Sequence, residues 1–221
     1  MERKIITTND GSKTIFIPEW NENYHSKHGA LQEAMHVFIE SGFRQMEQEE
    51  LNVLEVGFGS GLNAILTYIE AEKENKKVNY HGLEGFPISQ EEFDALSYGD
   101  IAEIADVKDV LNALFAATWN EENQITTAFT LEKTEVLLAD FSPQQNKYNL
   151  IYFDAFGPRV QPHMWTLDIL EKMFTALDHG GVFVTYCAKG QVRRDLIQLG
   201  FNVEKIPGPP GKREMLRAIK P

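Results

Sequence analysis

Cysteine is almost absent: Cys187 is the single one among 221 residues. That excludes an internal disulfide framework and any multi-cysteine zinc or iron–sulfur site. The chain also lacks any run of ~18 apolar residues, and its start, MERKIITTNDGSK, has no apolar core of the secretory kind. No membrane partner is expected, and a soluble cytoplasmic protein is the default. Bases are scarce. Lys and Arg number 21 against 33 Asp and Glu, for a net charge of −12. As a bare sum this argues against a nucleic-acid partner, since phosphate neutralisation needs clustered bases. The six histidines form no HExxH or other compact ligand spacing, so no metal site is expected.

What remains is an ordinary globular composition, 43% hydrophobic and 24% charged, long enough to bury a core unaided. Lys4–Thr8 and Lys13–Ile17 flank Asn9-Asp10-Gly11 and read as a β-hairpin. Ser26 is placed to cap a helix running to about Gln45, with Leu31, Ala34, Met35 and Phe38 on one face. From Leu51 onward, strands alternate with helices. Strands are expected at Leu51–Val56, Val78–Glu84, Ile125–Leu131, Thr134–Leu138, Tyr148–Phe153, Val182–Cys187, Phe201–Ile206 and Glu214–Ile219. Helices are expected at Leu62–Lys73, Ser89–Ala95, Val107–Thr118, Thr166–Leu177 and Gln191–Leu199. This order implies an α/β, doubly wound, mostly parallel sheet whose last two strands pair antiparallel. The expected division is an extension, residues 1–50, and a Rossmann-like domain, residues 51–221.

Gly57-x-Gly59-x-Gly61 falls between a strand and a helix, where a tight turn and a close ligand both require a missing Cβ. Glu84 ends the next strand, placed to accept hydrogen bonds from both hydroxyls of a ribose. Asp140 follows another strand, near the edge where an acid would meet an adenine amino group. NAD and S-adenosylmethionine both suit this pattern. GxGxG in place of the GxGxxG of many NAD-binding domains tips the balance to S-adenosylmethionine. A glycine turn with two solvated carboxylates and no ligand is the plain alternative.

Ligands of doubly wound sheets bind beyond the carboxyl ends of the strands. There, Ile151-Tyr152-Phe153-Asp154-Ala155-Phe156-Gly157-Pro158 delivers one carboxylate. An amine must lose its proton before it can attack a sulfonium methyl, and a carboxylate within reach could orient it and relay that proton. A helix cap or structural acid is the other reading of Asp154. Cys187, Trp119 and Trp165 read as packing residues.

Several stretches carry a resemblance. They are Tyr24-His25-Ser26 with Gly29-Ala30 and Glu33, then Glu55-Val56-Gly57-Phe58-Gly59-Ser60-Gly61-Leu62-Asn63, and Glu84-Gly85-Phe86-Pro87-Ile88. Asp154–Pro158, Pro162-His163-Met164-Trp165-Thr166 and Lys212-Arg213-Glu214-Met215 complete them. The chain resembles the MnmC-like methyltransferase domain family of tRNA 5-methylaminomethyl-2-thiouridine biosynthesis. The resemblance implies a class I S-adenosylmethionine-dependent fold, with Glu55, Gly57, Gly59, Gly61, Asn63, Glu84 and Asp140 around the cofactor. It makes Asp154 the acid beside the substrate amine. The family's Asp-Gly-Phe is Asp154-Ala155-Phe156 here, which narrows the approach to that amine. The FAD oxidoreductase half of the bifunctional members has no counterpart in the sequence, which suggests a stand-alone form and a separate oxidoreductase as partner.

The charge is unevenly spread. Residues 1–150 hold 26 acids and 11 bases, a net of −15, whereas residues 151–221 hold 7 and 10, a net of +3. Arg159, Lys189, Arg193, Arg194, Lys212 and Arg213 follow the late strands and should open on the ligand edge. They are candidate contacts for the phosphates of a tRNA anticodon region, or else ordinary solvated charges. The leading expectation is N-methylation of a 5-aminomethyl group on tRNA wobble uridine. A small-molecule amine as acceptor, a non-catalytic partner of a flavin oxidoreductase and a nicotinamide dehydrogenase are the alternatives.

Overall fold

In the computed structural model, which describes residues 2–221, the polar–apolar alternation near the N-terminus folds as three short antiparallel strands. They are β1 (Lys4–Thr7), β2 (Lys13–Ile17) and β3 (Glu22–Asn23). Met1, first residue of the expected extension, lies outside the described residues. Asp10 organises the β1–β2 connection, its Oδ1 accepting from the Ser12 amide at 3.0 Å and the Thr8 hydroxyl at 2.7 Å. Ile15 and Ile17 point into the core.

The apolar segments after residue 49 build one eight-stranded sheet. Its strands are β4 (Glu50–Val56), β5 (Lys77–Glu84), β6 (Glu122–Thr126), β7 (Phe129–Glu135), β8 (Tyr148–Phe153), β9 (Leu177–Thr185), β10 (Asn202–Pro207) and β11 (Glu214–Ile219). The order across the sheet is β10-β11-β9-β8-β4-β5-β7-β6. Strands β9, β8, β4, β5 and β7 run parallel, and β11, β10 and β6 pair antiparallel with their neighbours. β4 has β5 on one side and β8 on the other, so the winding reverses between β4 and β8. A crevice opens at such a switch point, outside the carboxyl ends of the strands. The turns after both strands therefore frame it.

Helices cover both faces: α1 (Ala30–Ala34), α2 (Leu62–Glu74), α3 (Gln90–Leu96), α4 (Ala102–Ala105), α5 (Lys108–Ala116), α6 (Leu167–Ala176) and α7 (Gly190–Gln198). Ser89 caps α3 in a reciprocal capping box with Glu92. The extension is not separately cored. Ile15, Ala30, Ala34, Val37, Phe38 and Phe43 pack in one apolar cluster with Leu51, Val53, Ile65 and Tyr152.

Some sequence-based boundaries are corrected. The helix expected from Ser26 to Gln45 is a five-residue α1, a wide π-turn over Met35–Glu40 and a 3-10 turn over Phe43–Gln45. Ser26 does not cap it; its Oγ accepts from the His28 amide, and its own amide donates to Glu33 Oε2 at 2.7 Å. The helix expected to reach Leu177 ends at Ala176, Leu177 opens β9, and Cys187 lies two residues past that strand, buried.

The break expected near Glu132 falls instead at Thr127-Ala128, because Lys133 is a strand residue buried to 1% exposure. Its Nζ donates to the Phe115 carbonyl at 2.6 Å and stands 4.8 Å from the Trp119 ring centre. Burial pulls its pKa from the ordinary 10.5 to about 8. Between those values the unfolded chain binds more protons, so stability should rise with pH across that window. Denaturant unfolding at a series of pH values should show the rise in the native protein and its loss in Lys133→Met.

Candidate active site

The Leu83 carbonyl at the end of β5 accepts the Gly57 and Phe58 amides at 2.9 and 3.0 Å, folding the turn after β4 back over the sheet edge. Gly57 has φ +88°, and a Cβ there would lie 2.8 Å from the Asp154 carbonyl oxygen. The missing side chain thus lets the turns after β4 and β8 lie against each other. Gly61, also left-handed, starts α2. Glu84 is held from both sides, Oε2 accepting the Gly59 amide and Oε1 the Phe86 amide, each at 2.8 Å.

Asn63, in the first turn of α2, links the acids. Its Nδ2 donates to Glu55 Oε1 at 2.8 Å and to Asp154 Oδ2 at 3.0 Å. Its Oδ1 is buried without a partner. Glu55 is fully buried and its Oε2 accepts the Tyr80 hydroxyl at 2.8 Å. Burial pushes both carboxyls well above the usual range. For Asp154, nearby Glu33 adds to the rise, while the Asn63 hydrogen bond and Lys212 oppose it.

These groups border one cavity. Gly57, Gly59, Asn63, Glu84 and Asp154 line it. Glu55, expected beside the cofactor, does not; it sits behind Asn63, bonded to its Nδ2. Asp140 does not line it either. β7 ends at Glu135, and Val136–Ala139 cross the cavity wall before a turn in which the Asp140 amide donates to the Leu137 carbonyl. Asp140 is left exposed outside.

The expected basic rim divides. Arg159 pairs with Glu22 and Lys212 with Glu33. Lys189, Arg193, Arg194 and Arg213 form no ion pair among the described residues, and all but the half-buried Arg193 are exposed.

Residue-type reasoning passed over several lining groups. Trp20 and Tyr24 reach in from the extension and meet Phe156 edge-on, with ring centres 5.2 and 5.4 Å away. Trp165 Nε1 donates to the Phe156 carbonyl at 2.8 Å, so this packing residue also braces the cavity loop. Tyr186, one residue past β9, donates to the Ala155 carbonyl at 2.9 Å. The rule that singles out Asp154 after β8 would have found Tyr186 after β9. Phe86 and Leu137, 56% and 50% exposed, leave apolar surface at the mouth.

A family model described as S-adenosyl-L-methionine-dependent methyltransferase matches residues 102–221. Similar proteins include the tRNA 5-methylaminomethyl-2-thiouridine biosynthesis bifunctional protein MnmC of Acidovorax sp. (strain JS42), 27% identical over 99% of this chain and 35% of its own length. The protein of the same name from Paracidovorax citrulli (strain AAC00-1) is 29% identical over 93% and 34%. The chain thus spans about a third of the length of these relatives. The crystal structure of MNMC2 from Aquifex aeolicus shares the fold, with a TM-score of 0.80 over 100% of this chain and 71% of that one at 24% identity. The family match covers the second half of the chain and the glycine turn lies in the first, on the same sheet edge: the chain belongs to the S-adenosyl-L-methionine-dependent methyltransferase family.

Proposed function

We propose that the protein methylates the nitrogen of a 5-aminomethyl group on a tRNA wobble uridine. The observation that carries this reading is Asp154, set into the cavity wall on Asn63 at the sheet's switch point, across the glycine turn from Glu84. The resemblance to MnmC relatives supports the choice of acceptor.

The cavity suits the cofactor. Glu84 keeps free lone pairs for a ribose diol, Asn63 Oδ1 is an orphaned acceptor for an ammonium group, and Phe86 and Leu137 offer apolar cover for a purine. Gly57, Gly59 and Gly61 shape the turn beneath, and Glu55 steadies Asn63 from behind. When bound, S-adenosylmethionine supplies a methyl group on a cationic sulfur. The chain's own work is to hold the amine and take its proton. Asp154 Oδ2 is engaged by Asn63, which leaves Oδ1 for the amine. A poorly solvated carboxylate–ammonium pair is disfavoured against its neutral form, so the proton passes to Asp154 and leaves a nucleophilic amine. Residues 1–50 act as an extension that completes the cavity of domain 51–221. The acceptor must arrive with its amine free, either installed directly or uncovered by a separate flavin-dependent oxidoreductase that removes a carboxymethyl group, and the latter is the candidate partner.

Lys189, Arg193, Arg194 and Arg213 are the proposed phosphate contacts. Arg193→Ala with Arg194→Ala should weaken tRNA binding and lower the slope of log Kd against log salt by about two. A filter-binding salt series checks this. The net charge of −12 favours a second reading, a small-molecule amine as acceptor. Incubation with labelled cofactor and tRNA lacking the modification, followed by nucleoside mass spectrometry, separates them. Methyl on the wobble nucleoside supports the first reading and label in small metabolites alone the second. Absence of calorimetric binding of the cofactor sinks both.

A further inference from the structure

Lys212, expected on the phosphate-binding rim, points elsewhere. Its Nζ donates to Glu33 Oε1 at 2.8 Å, joining residues 179 apart in the chain, and stands 3.7 Å from the centre of the Tyr186 ring. Glu33 is 8% exposed, and its other oxygen already accepts the Ser26 amide. Below the ammonium, the Tyr186 hydroxyl donates to the carbonyl of Ala155, next to Asp154. Four segments distant in sequence therefore meet here: α1, the β10–β11 loop, the chain after β9 and the loop after β8.

Glu33 is buried but the Lys212 side chain keeps 37% exposure, and a pair with one partly solvated member adds little stability, so stability alone is a poor account of it. Its geometry offers a better one. The ammonium lies on an aromatic face, where the attraction is directional, and the phenol beneath fixes one carbonyl of the loop that carries the acid. We propose that Glu33 and Lys212 are positioning residues. Their pair seats Tyr186, Tyr186 anchors Ala155, and Asp154 is thereby kept on Asn63 in a single orientation toward the amine. Lys212 then makes no phosphate contact.

The test has two arms, and only the kinetic one rests on the amine-methyltransferase reading. In the free protein, hydrogen exchange of the Asp154 amide and of the segment 155–161 should quicken about tenfold in Glu33→Gln and in Lys212→Met. Lys212→Arg, which keeps charge and stacking, should restore most of the protection. Kinetically, Lys212→Met and Tyr186→Phe should lower kcat by up to about 10²-fold, as displacement of a reacting group does. KM for tRNA and the salt slope should stay unchanged. A phosphate contact would do the reverse, raising KM, sparing kcat and lowering the salt slope by about one. That pattern, or unchanged exchange in both charge variants, overturns the proposal. If the native protein transfers no methyl to tRNA, the functional reading has failed and the exchange arm still decides the clamp.

Discussion

Asp154→Asn is expected to slow methyl transfer by about 10²–10⁴-fold, the usual worth of a positioned acid–base group. Cofactor binding should remain within a few-fold. The amide is isosteric and still accepts from Asn63 Nδ2, so the cavity keeps its shape while the proton acceptor is lost. Stability should move the opposite way. Burial raises the folded-state pKa of Asp154 above its ordinary 3.8, so the folded protein binds more protons than the unfolded chain above that value. Stability therefore falls as pH rises through the window between the ordinary and raised values, and the neutral amide removes that loss. The same raised value places the acid limb of kcat/KM above the ordinary carboxylate range. Single-turnover transfer, cofactor calorimetry and denaturation at several pH values check all three. A variant that is both slower and less stable at neutral pH would point to disruption of the fold rather than loss of a base. Full activity would remove Asp154 from the chemistry.

The Asp154 carboxylate was legible because a parallel strand ending in a polar residue has one place to deliver it, the carboxyl edge. The same logic located Gly57 and Glu84. Glu55 was harder to place: its neighbour in sequence is the glycine turn, yet its side chain leaves the sheet toward Tyr80 and Asn63, contacts made by later segments. Lys133 misled for a related reason. A lysine reads as solvated, and nothing local reveals that Trp119 and the Phe115 carbonyl will enclose it. The helix expected from Ser26 broke on local and tertiary contacts together. Glu33 draws in the Ser26 amide, and Gly42 packs so closely that a Cβ would meet Val184 Cγ1 at 3.1 Å and Tyr152 Cε1 at 3.2 Å on the central sheet. Apolar periodicity records which face is buried, not where the backbone widens into a π-turn.

Gly57→Ala is the second large effect expected, and Gly11→Ala supplies its control. The two glycines have nearly the same backbone, φ +88° and +85°. An L side chain in the left-handed region costs about 1–2 kcal/mol at either. They differ in surroundings. A Cβ on Gly11 meets nothing within 4 Å, whereas on Gly57 it meets the Asp154 carbonyl oxygen at 2.8 Å and carbon at 3.3 Å. That neighbour is backbone and cannot rotate away, so overpacking should add about 1–3 kcal/mol at Gly57 alone. Denaturant unfolding of the two variants should differ by roughly that amount. Function should separate them further. Relief of the contact must part the turns after β4 and β8, which carry the glycine cradle and Asp154, so Gly57→Ala should lose about tenfold or more in both cofactor affinity and transfer rate. Gly11→Ala, in a hairpin turn that does not line the cavity and with open space where its Cβ would lie, should lose neither. Equal destabilisation in the two variants, with cofactor affinity intact, would mean that the turns are not in the close contact on which the site is built.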